Sequence, residues 1–356
     1  MTSCQPVPDN LKSSESKPSI VNNSQAGKVS YDHIYDDMDT ALRTEYSKIK
    51  LPDRSQIPII KPDGIYELEL GYLNSDVNTE WMKEKVEKIY EELGFSFFGE
   101  TVIDEGTAYK KDMKNDISIM RYSQPYCRWA EFENGVSMLA ESIISIDTLY
   151  CDRSSDKGTS EEIYKVISKA EQLSNDIGRV MGDELENTVS GIYTIHTPES
   201  IGYEAEIRKT YKGIGIQDLI SKKDNSSEFE EADQLLAVSM QTYLDFDSEI
   251  QPEYYVGCNS YSVKNAKRLD DVLSFKAACD ILEQKLAENV MFEFDTVLLM
   301  YEPRGKTLSN DLPDPGVIKC KPKWYFISDS SFESGLHSIY YVTVDCKDGI
   351  VEVVMP

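Results

Sequence analysis

Three kinds of residue in this sequence have types and spacings that could do chemistry: acidic runs, aromatic clusters and short motif fragments. Asp245-Phe246-Asp247-Ser248-Glu249 sets oxygens at alternate positions, as a calcium loop begins. Such a loop then needs Gly and Glu where this chain has Ile250 and Val256, so the run reads as solvated charge. Asp36-Asp37-Met38-Asp39 reads the same way. The three histidines, His33, His196 and His337, include no H-E-x-x-H and no close pair that could hold zinc, so no metal site is expected. G-x-S-x-G is absent, and Ser154–Lys157 matches S-x-x-K in a polar stretch without a K-T-G partner. Gly305-Lys306-Thr307 ends like a phosphate-binding loop, but the earlier glycine of that loop is Met300 here. Gly213 and Gly215 lack the third glycine of a dinucleotide fingerprint. No catalytic residue and no cofactor is expected. Among the 22 tyrosines, Tyr122 and Tyr126 cluster with Trp129 and Phe132, and Tyr254-Tyr255 follow Pro252. Aromatics of this kind either pack a half-buried sheet or stack on sugars and peptides. Packing is the expected role, and Tyr126, Trp129, Tyr254 and Tyr255 are the candidates for ligand contact.

The first thirty residues carry a different chemistry. Met1-Thr2-Ser3-Cys4-Gln5 places a cysteine after two small residues, and a stretch rich in Pro, Asn, Ser and Lys follows to about Ser30. This pattern resembles the end of a bacterial lipoprotein signal, in which the cysteine after small residues becomes lipidated and amino-terminal. The resemblance implies lipidation at Cys4, a lipid bilayer as partner, and a location on the outer face of a bacterial membrane. Residues 5–29 bury too little apolar surface to fold alone and read as a tether. Two or three acyl chains would anchor stably, at roughly 0.8 kcal/mol per buried methylene. Setting Cys4 aside leaves six cysteines, Cys127, Cys151, Cys258, Cys279, Cys320 and Cys346, with no C-x-x-C spacing. Their pairing is open, and Cys279 falls in a helical pattern where a plain core residue is expected.

Composition sets the class of protein. The chain has 356 residues with 40% hydrophobic and 10% aromatic content, enough for a sizeable core. Sixty-three acidic against 37 basic side chains give a formal net charge of −26. Such a surface repels polyanions, and no run of Lys or Arg in the sequence suggests a local exception, so nucleic acid is excluded as a partner. No stretch approaches the roughly 18 apolar residues needed to cross a bilayer as a helix.

The elements that would position these residues show in the periodicity. Apolar residues at helical spacing predict helices over residues 81–93, 161–181, 228–243 and 274–287, with a capping box from Thr159 to Glu162 opening the second. Strands are predicted at Ile65–Tyr72, Phe95–Val102, Ile117–Tyr122, Ile192–His196, Tyr203–Tyr211, Phe292–Tyr301 and Lys323–Ile327. Ser338–Val354 reads as a hairpin turning at Lys347-Asp348-Gly349. Strands follow one another more often than they alternate with helices. The expected fold is therefore α+β, with antiparallel sheets and helices packed on one face. The polar segment 152–158 divides the reading into a tether over 1–30, one α+β module over 31–151 and a second, similar one over 159–356. Trp324, after Pro322, is expected to pack on the stripe Phe275, Ala278 and Leu282.

In the second module the order is helix Leu273–Ala278, strand Val297–Tyr301, strand Lys321-Pro322-Lys323-Trp324-Tyr325-Phe326, then the Asp348-Gly349 hairpin. This order, with Arg208–Ile216 upstream as strand and turn, resembles the carboxy-terminal part of uncharacterised surface lipoproteins from gut Firmicutes. It also resembles the PepSY-like domains of exported regulatory proteins. The resemblance covers residues 191–354 and implies an exported protein of regulatory or unknown function, with no catalytic residues to carry over. The expected function is a lipid-anchored extracellular module, not an enzyme, that binds an unidentified protein or peptide. The alternative is a secreted hydrolase of cell-wall or dietary polymer, whose two carboxylates need not be neighbours in sequence.

Overall fold

The computed structural model describes residues 27–72, 88, 92, 97–103, 106–111, 118–121, 127–129, 139–144, 161–196, 201–217, 234–235, 241–246, 254–256, 261–305, 317–331 and 337–354. The amino-terminal part gives β1 (Lys28–Val29), α1 (Met38–Arg43), β2 (Ile49–Lys50) and β3 (Tyr66–Tyr72). β4 (Phe97–Ile103), β5 (Gly106–Lys111), β6 (Ser118–Arg121) and β7 (Cys127–Trp129) form a separate four-stranded antiparallel sheet. β8 (Leu139–Ile144), the long helix α2 (Glu161–Met181), β9 (Glu186–His196) and β10 (Ile201–Tyr211) come next. They are followed by β11 (Ile214–Ile216), β12 (Gln234–Leu235), β13 (Gln241–Phe246) and β14 (Tyr254–Val256). The carboxy-terminal part holds β15 (Tyr261–Arg268), β16 (Val272–Leu273), α3 (Phe275–Lys285), β17 (Phe292–Glu293) and β18 (Thr296–Gly305). It ends on β19 (Val317–Ser331), β20 (His337–Asp345) and β21 (Val351–Val354).

Thirteen of these strands make one sheet with the path β14-β13-β10-β11-β18-β19-β20-β21, to which β9 and β8 join at β10, β3 and β15 at β19, and β12 at β18. Its pairs are antiparallel except β11 with β18. The expected α+β class with antiparallel sheets therefore holds. Turn chemistry explains two of the connections. Lys212 and Gly213 both have positive φ, 52° and 81°, which lets β10 fold directly back into β11. Gly349, at φ 70°, donates its N–H to Asp345 O and turns β20 into β21.

Both long helices lie on one side of the sheet. Phe275, Ala278, Cys279 and Leu282 of α3 share a core with Val297, Leu299 and Tyr301 of β18, Trp324 and Phe326 of β19, and Val342 and Val344 of β20. Ile163, Val166, Ile167 and Ala170 of α2 pack on Val189, Ala205 and Ile207. Arg208, one residue on from Ile207, instead reaches Met300 Sδ at 3.4 Å on the opposite face. Trp324 is fully buried where the sequence puts it, edge-on to Phe275 with ring centroids 5.6 Å apart. Its indole N–H donates to Leu273 O at 3.0 Å. Tyr35, from the amino-terminal segment, forms a second edge contact at 5.4 Å.

The amino-terminal segment is part of this core. Lys28 and Val29 pair with β16, so the fold is under way before the expected end of the tether at Ser30. Ile34, Met38, Ala41, Ile57, Ile65, Leu68 and Leu70 are buried with α3 and β18–β20. β3 lies between β15 and β19. Residues on both sides of the polar segment 152–158 thus share one core and one sheet. α2 has the predicted bounds, whereas within the helix predicted over 228–243 the described residues belong to strands, 234–235 and 241–246. Thr242, Tyr243 and Phe246 favour a pleated surface, and pairing with β10 outweighs the apolar spacing. The helix predicted over 81–93, apart from positions 88 and 92, and the capping box at Thr159 lie outside the described residues.

Candidate functional site: the helix-free face and its edge

Alternation along β18–β21 sends every second residue to the face on which no described helix packs, and there the chain buries charge. Lys323 is 3% exposed. Its ammonium lies 2.5 Å from Glu302 Oε2 and 2.5 Å from Glu352 Oε2. Arg304 closes the square, with Nε 2.8 Å from Glu302 Oε2 and Nη2 2.5 Å from Glu352 Oε2. Glu302 and Arg304 come from β18, Lys323 from β19 and Glu352 from β21, so four side chains clasp three strands. β20 lies between β19 and β21, and its residue opposite Glu352 is Thr343, small enough to leave the path open. Burial works to raise the Glu352 pKa, but Lys323 and Arg304 outweigh it and hold the carboxyl below its ordinary range.

Tyrosines and a hydrophobic patch surround this clasp. Leu298, Met300, Tyr325 and Tyr341 form a small cluster on the same face. Burial and the nearby Glu302 carboxylate push the Tyr325 hydroxyl far up, and push Tyr341 up to about 12. Neither phenol is poised to act as a base near neutral pH. Gly215 leaves the space beside it to Arg208, whose Cδ would lie 3.0 Å from a Cβ at that position. Glu302 Oε1, Tyr325 Oη and Thr343 Oγ1 are buried without a hydrogen-bond partner among the described residues. Asp345 is raised by burial, and its carboxylate takes the Lys347 N–H at 2.8 Å to build the hairpin turn. The signal for this face was in the sequence: Lys319, Lys321 and Lys323 alternate, and a strand places all three on one side. Alternate lysines do not show as a run of consecutive basic residues, which hides the signal.

Towards β3 and β15 the same face opens to solvent. Lys319, Lys264 and Lys267 are exposed, and no ion pair joins them to the described residues. Lys267 stands opposite Glu67, but that carboxylate is held by Lys347 Nζ at 2.9 and 3.0 Å. Lys264 sits at a register shift between Val263 and Asn265, and its stem lies across Gly71. A bulge of this kind re-aims one side chain out of the ladder. On the helix side, Lys209 and Asp183 form a second buried ion pair that ties β10 to the end of α2. Asp183 also accepts the N–H groups of Leu185 at 3.1 Å and Tyr261 at 3.2 Å.

The residues expected to do chemistry fall elsewhere. Cys4 and Tyr126 lie outside the described residues. Trp129 is on β7, and Tyr254 and Tyr255 are on β14. β7 is an end strand of the small sheet, β14 an end strand of the large one, and the two strands lie close together. The backbone therefore brings together two aromatic segments that are far apart in sequence. Asp37 accepts Ser274 Oγ–H and the Lys276 N–H at 3.1 Å, fixing the start of α3. His33 is exposed beside Asp36, whose hydrogen bond raises its pKa. Cys279, Cys320 and Cys346 are free and buried, and burial pushes all three thiols up, away from the reactive thiolate. A shallow depression of about 490 Å³ is lined by Leu42, Tyr46, Leu51, Arg54 and Met291, with mixed charge around it. No described helix is long and apolar enough to cross a membrane.

No family model matches the chain, and no curated protein matches it. Among solved structures, an uncharacterised protein from Eubacterium rectale ATCC 33656 superimposes with a TM-score of 0.50 at 13% identity. The match covers 89% of this chain and 98% of that one, and the likeness is one of fold.

Proposed function

We propose that the protein is a lipid-anchored extracellular module that binds a protein or peptide and carries out no chemistry of its own. Cys4 after Thr2-Ser3, followed by a polar stretch, supports the anchor. The observation that carries the binding half is that the described residues of a large sheet leave edges open. Among the described residues β15 and β14 are each paired on one side only, and β14 has the aromatic positions Tyr254 and Tyr255 with Trp129 of β7 close by. Edges of this kind recognise extended chains through backbone hydrogen bonds and neighbouring side chains. The charged groups of the helix-free face support the same reading: Glu302 and Glu352 are each held by Lys323 and Arg304, an arrangement that ties strands together. The PepSY-like order of elements in the second half fits a regulatory module.

A photo-crosslinking amino acid at position 255 or position 129, in cells of the native host, tests the reading. One discrete crosslinked partner protein from both positions is the expected result. Free protein only, at both positions, would contradict it.

A further inference from the structure

We infer that the open half of β15, residues 264–268, receives an extended acidic segment of a partner protein as an added strand, with Lys264 and Lys267 pairing its carboxylates. This rests on the reading above that the partner is a protein or peptide, and it adds the mode and the charge.

The outer edge of β15 divides into a sealed half and an open one. At its start the backbone is occupied by the turn after α2. The Tyr261 N–H donates to Asp183 Oδ1 at 3.2 Å, Tyr261 O accepts the Glu184 N–H at 2.8 Å, and the Val263 N–H donates to Glu184 Oε2. From Lys264 onward β15 is bonded to β3 alone among the described residues. The boundary between the halves is the register shift at Lys264. A strand added beyond it would meet free N–H and C=O groups over about five residues, the length of an ordinary strand.

Charge selects the occupant. The chain carries a net −26, yet this edge presents Lys264 and Lys267 exposed and without an ion pair among the described residues. Glu67, directly across from Lys267, is already engaged by Lys347. Gly71 leaves the space that the Lys264 stem crosses, so that side chain runs over β3 on the helix-free face. Opposite charges on paired strands each contribute roughly 0.2–1 kcal/mol, and like charges directly opposite are unfavourable. A second copy of β15 would set lysines against lysines, so self-pairing is opposed and an acidic strand is favoured. Apart from Glu67, the carboxylate nearest to both lysines in register is Glu69, opposite Asn265, and it forms an ion pair with neither among the described residues. Exposed charges beyond about 8 Å are screened at physiological salt. Lysine on an edge strand also has a purely protective use, to keep the edge unpaired. That alternative predicts no binding of any strand.

The probe is a fluorescein-labelled acetyl-Glu-Val-Glu-Val-Glu-Val-Glu-amide, measured by anisotropy with the full chain, with hydrogen exchange read over 264–268. Binding with slowed exchange in that segment is expected. Lys264→Glu with Lys267→Glu should weaken it at least tenfold and shift preference to the corresponding Lys-Val peptide. Alternate N-methylation of the probe should also cost at least tenfold. Both lysines are exposed, and Lys264→Gln with Lys267→Gln repeats the test should the charge reversal disturb folding. Three results would each overturn the proposal: no binding at millimolar probe, affinity indifferent to both double variants, or an N-methylated probe that binds as well as its parent. A crosslink from position 255 or 129 together with no probe binding at β15 would overturn it, while leaving a partner at the aromatic edges.

Discussion

On the helix side of β18–β20, Val297, Leu299, Tyr301, Trp324, Phe326, Val342 and Val344 meet α3 and the amino-terminal segment. One residue along each strand, Glu302, Lys323, Tyr325 and Thr343 point the other way and are buried just as deeply. The two faces differ in what fixes them. The apolar face is held by volume and area, and a side chain of similar size can replace another at small cost. The charged face is held by geometry, because each buried ion is tolerated only while its partner stays in place. The first face makes the protein stable. The second fixes which strands lie side by side, since Lys323 and Arg304 reach β21 past β20.

The comparison can be broken first on the apolar side. Trp324→Ala should cost about 3–5 kcal/mol, as truncations of buried aromatics do, and it also frees Leu273 O from its indole partner. Denaturant titration should show the midpoint fall sharply. A midpoint like wild type would mean that Trp324 is not the keystone of this core.

On the charged side Lys323→Met should cost about 3 kcal/mol, the lower end for breaking a buried pair, because Arg304 still covers Glu302. Removing both partners, Lys323→Met with Glu302→Leu, should recover most of that loss. If the double variant is as unstable as the two single losses added together, the pair is not coupled and the clasp account is wrong.

A smaller effect sharpens the comparison by pH. The folded Glu352 pKa lies below its unfolded value, so its contribution is present above the ordinary glutamate range and is lost as pH falls through the folded pKa. Glu352 is about a third exposed, which limits the effect to about 1 kcal/mol or less. Wild type and Glu352→Gln should differ by a constant amount from pH 7 down to about pH 5 and converge in stronger acid. A difference that persists in strong acid would contradict the assignment. The apolar face should show no such dependence. Smallest of all, Lys264→Gln with Lys267→Gln should leave stability within about 0.5 kcal/mol, as exposed substitutions do.

Much of the large sheet was legible because its strands alternate or run apolar between turn residues. Ile65–Tyr72, Tyr203–Tyr211 and the final hairpin stand within a residue or two of their predicted places. α2 was legible to the residue, and Trp324 on α3 followed from spacing alone. The charged face was not read, because Glu302, Lys323 and Glu352 look like solvated charge until a sheet brings them together. Nor does any local pattern tell that β3 will pair with β15 and β19, about 200 and about 250 residues further along the chain. Tyr35 escaped as a wall of the Trp324 site for the same reason. The segment around residues 234–246 was misread because apolar residues spaced for a helix also fit short strands when a neighbour such as β10 supplies the pairing.

The central claim is that this sheet works outside the cell at the end of a lipid anchor. Intact mass spectrometry of the protein from its native host tests that claim most directly. The account predicts a chain that begins at Cys4 and carries the mass of two or three acyl chains on that residue. A chain that retains Met1 with an unmodified Cys4 would contradict it.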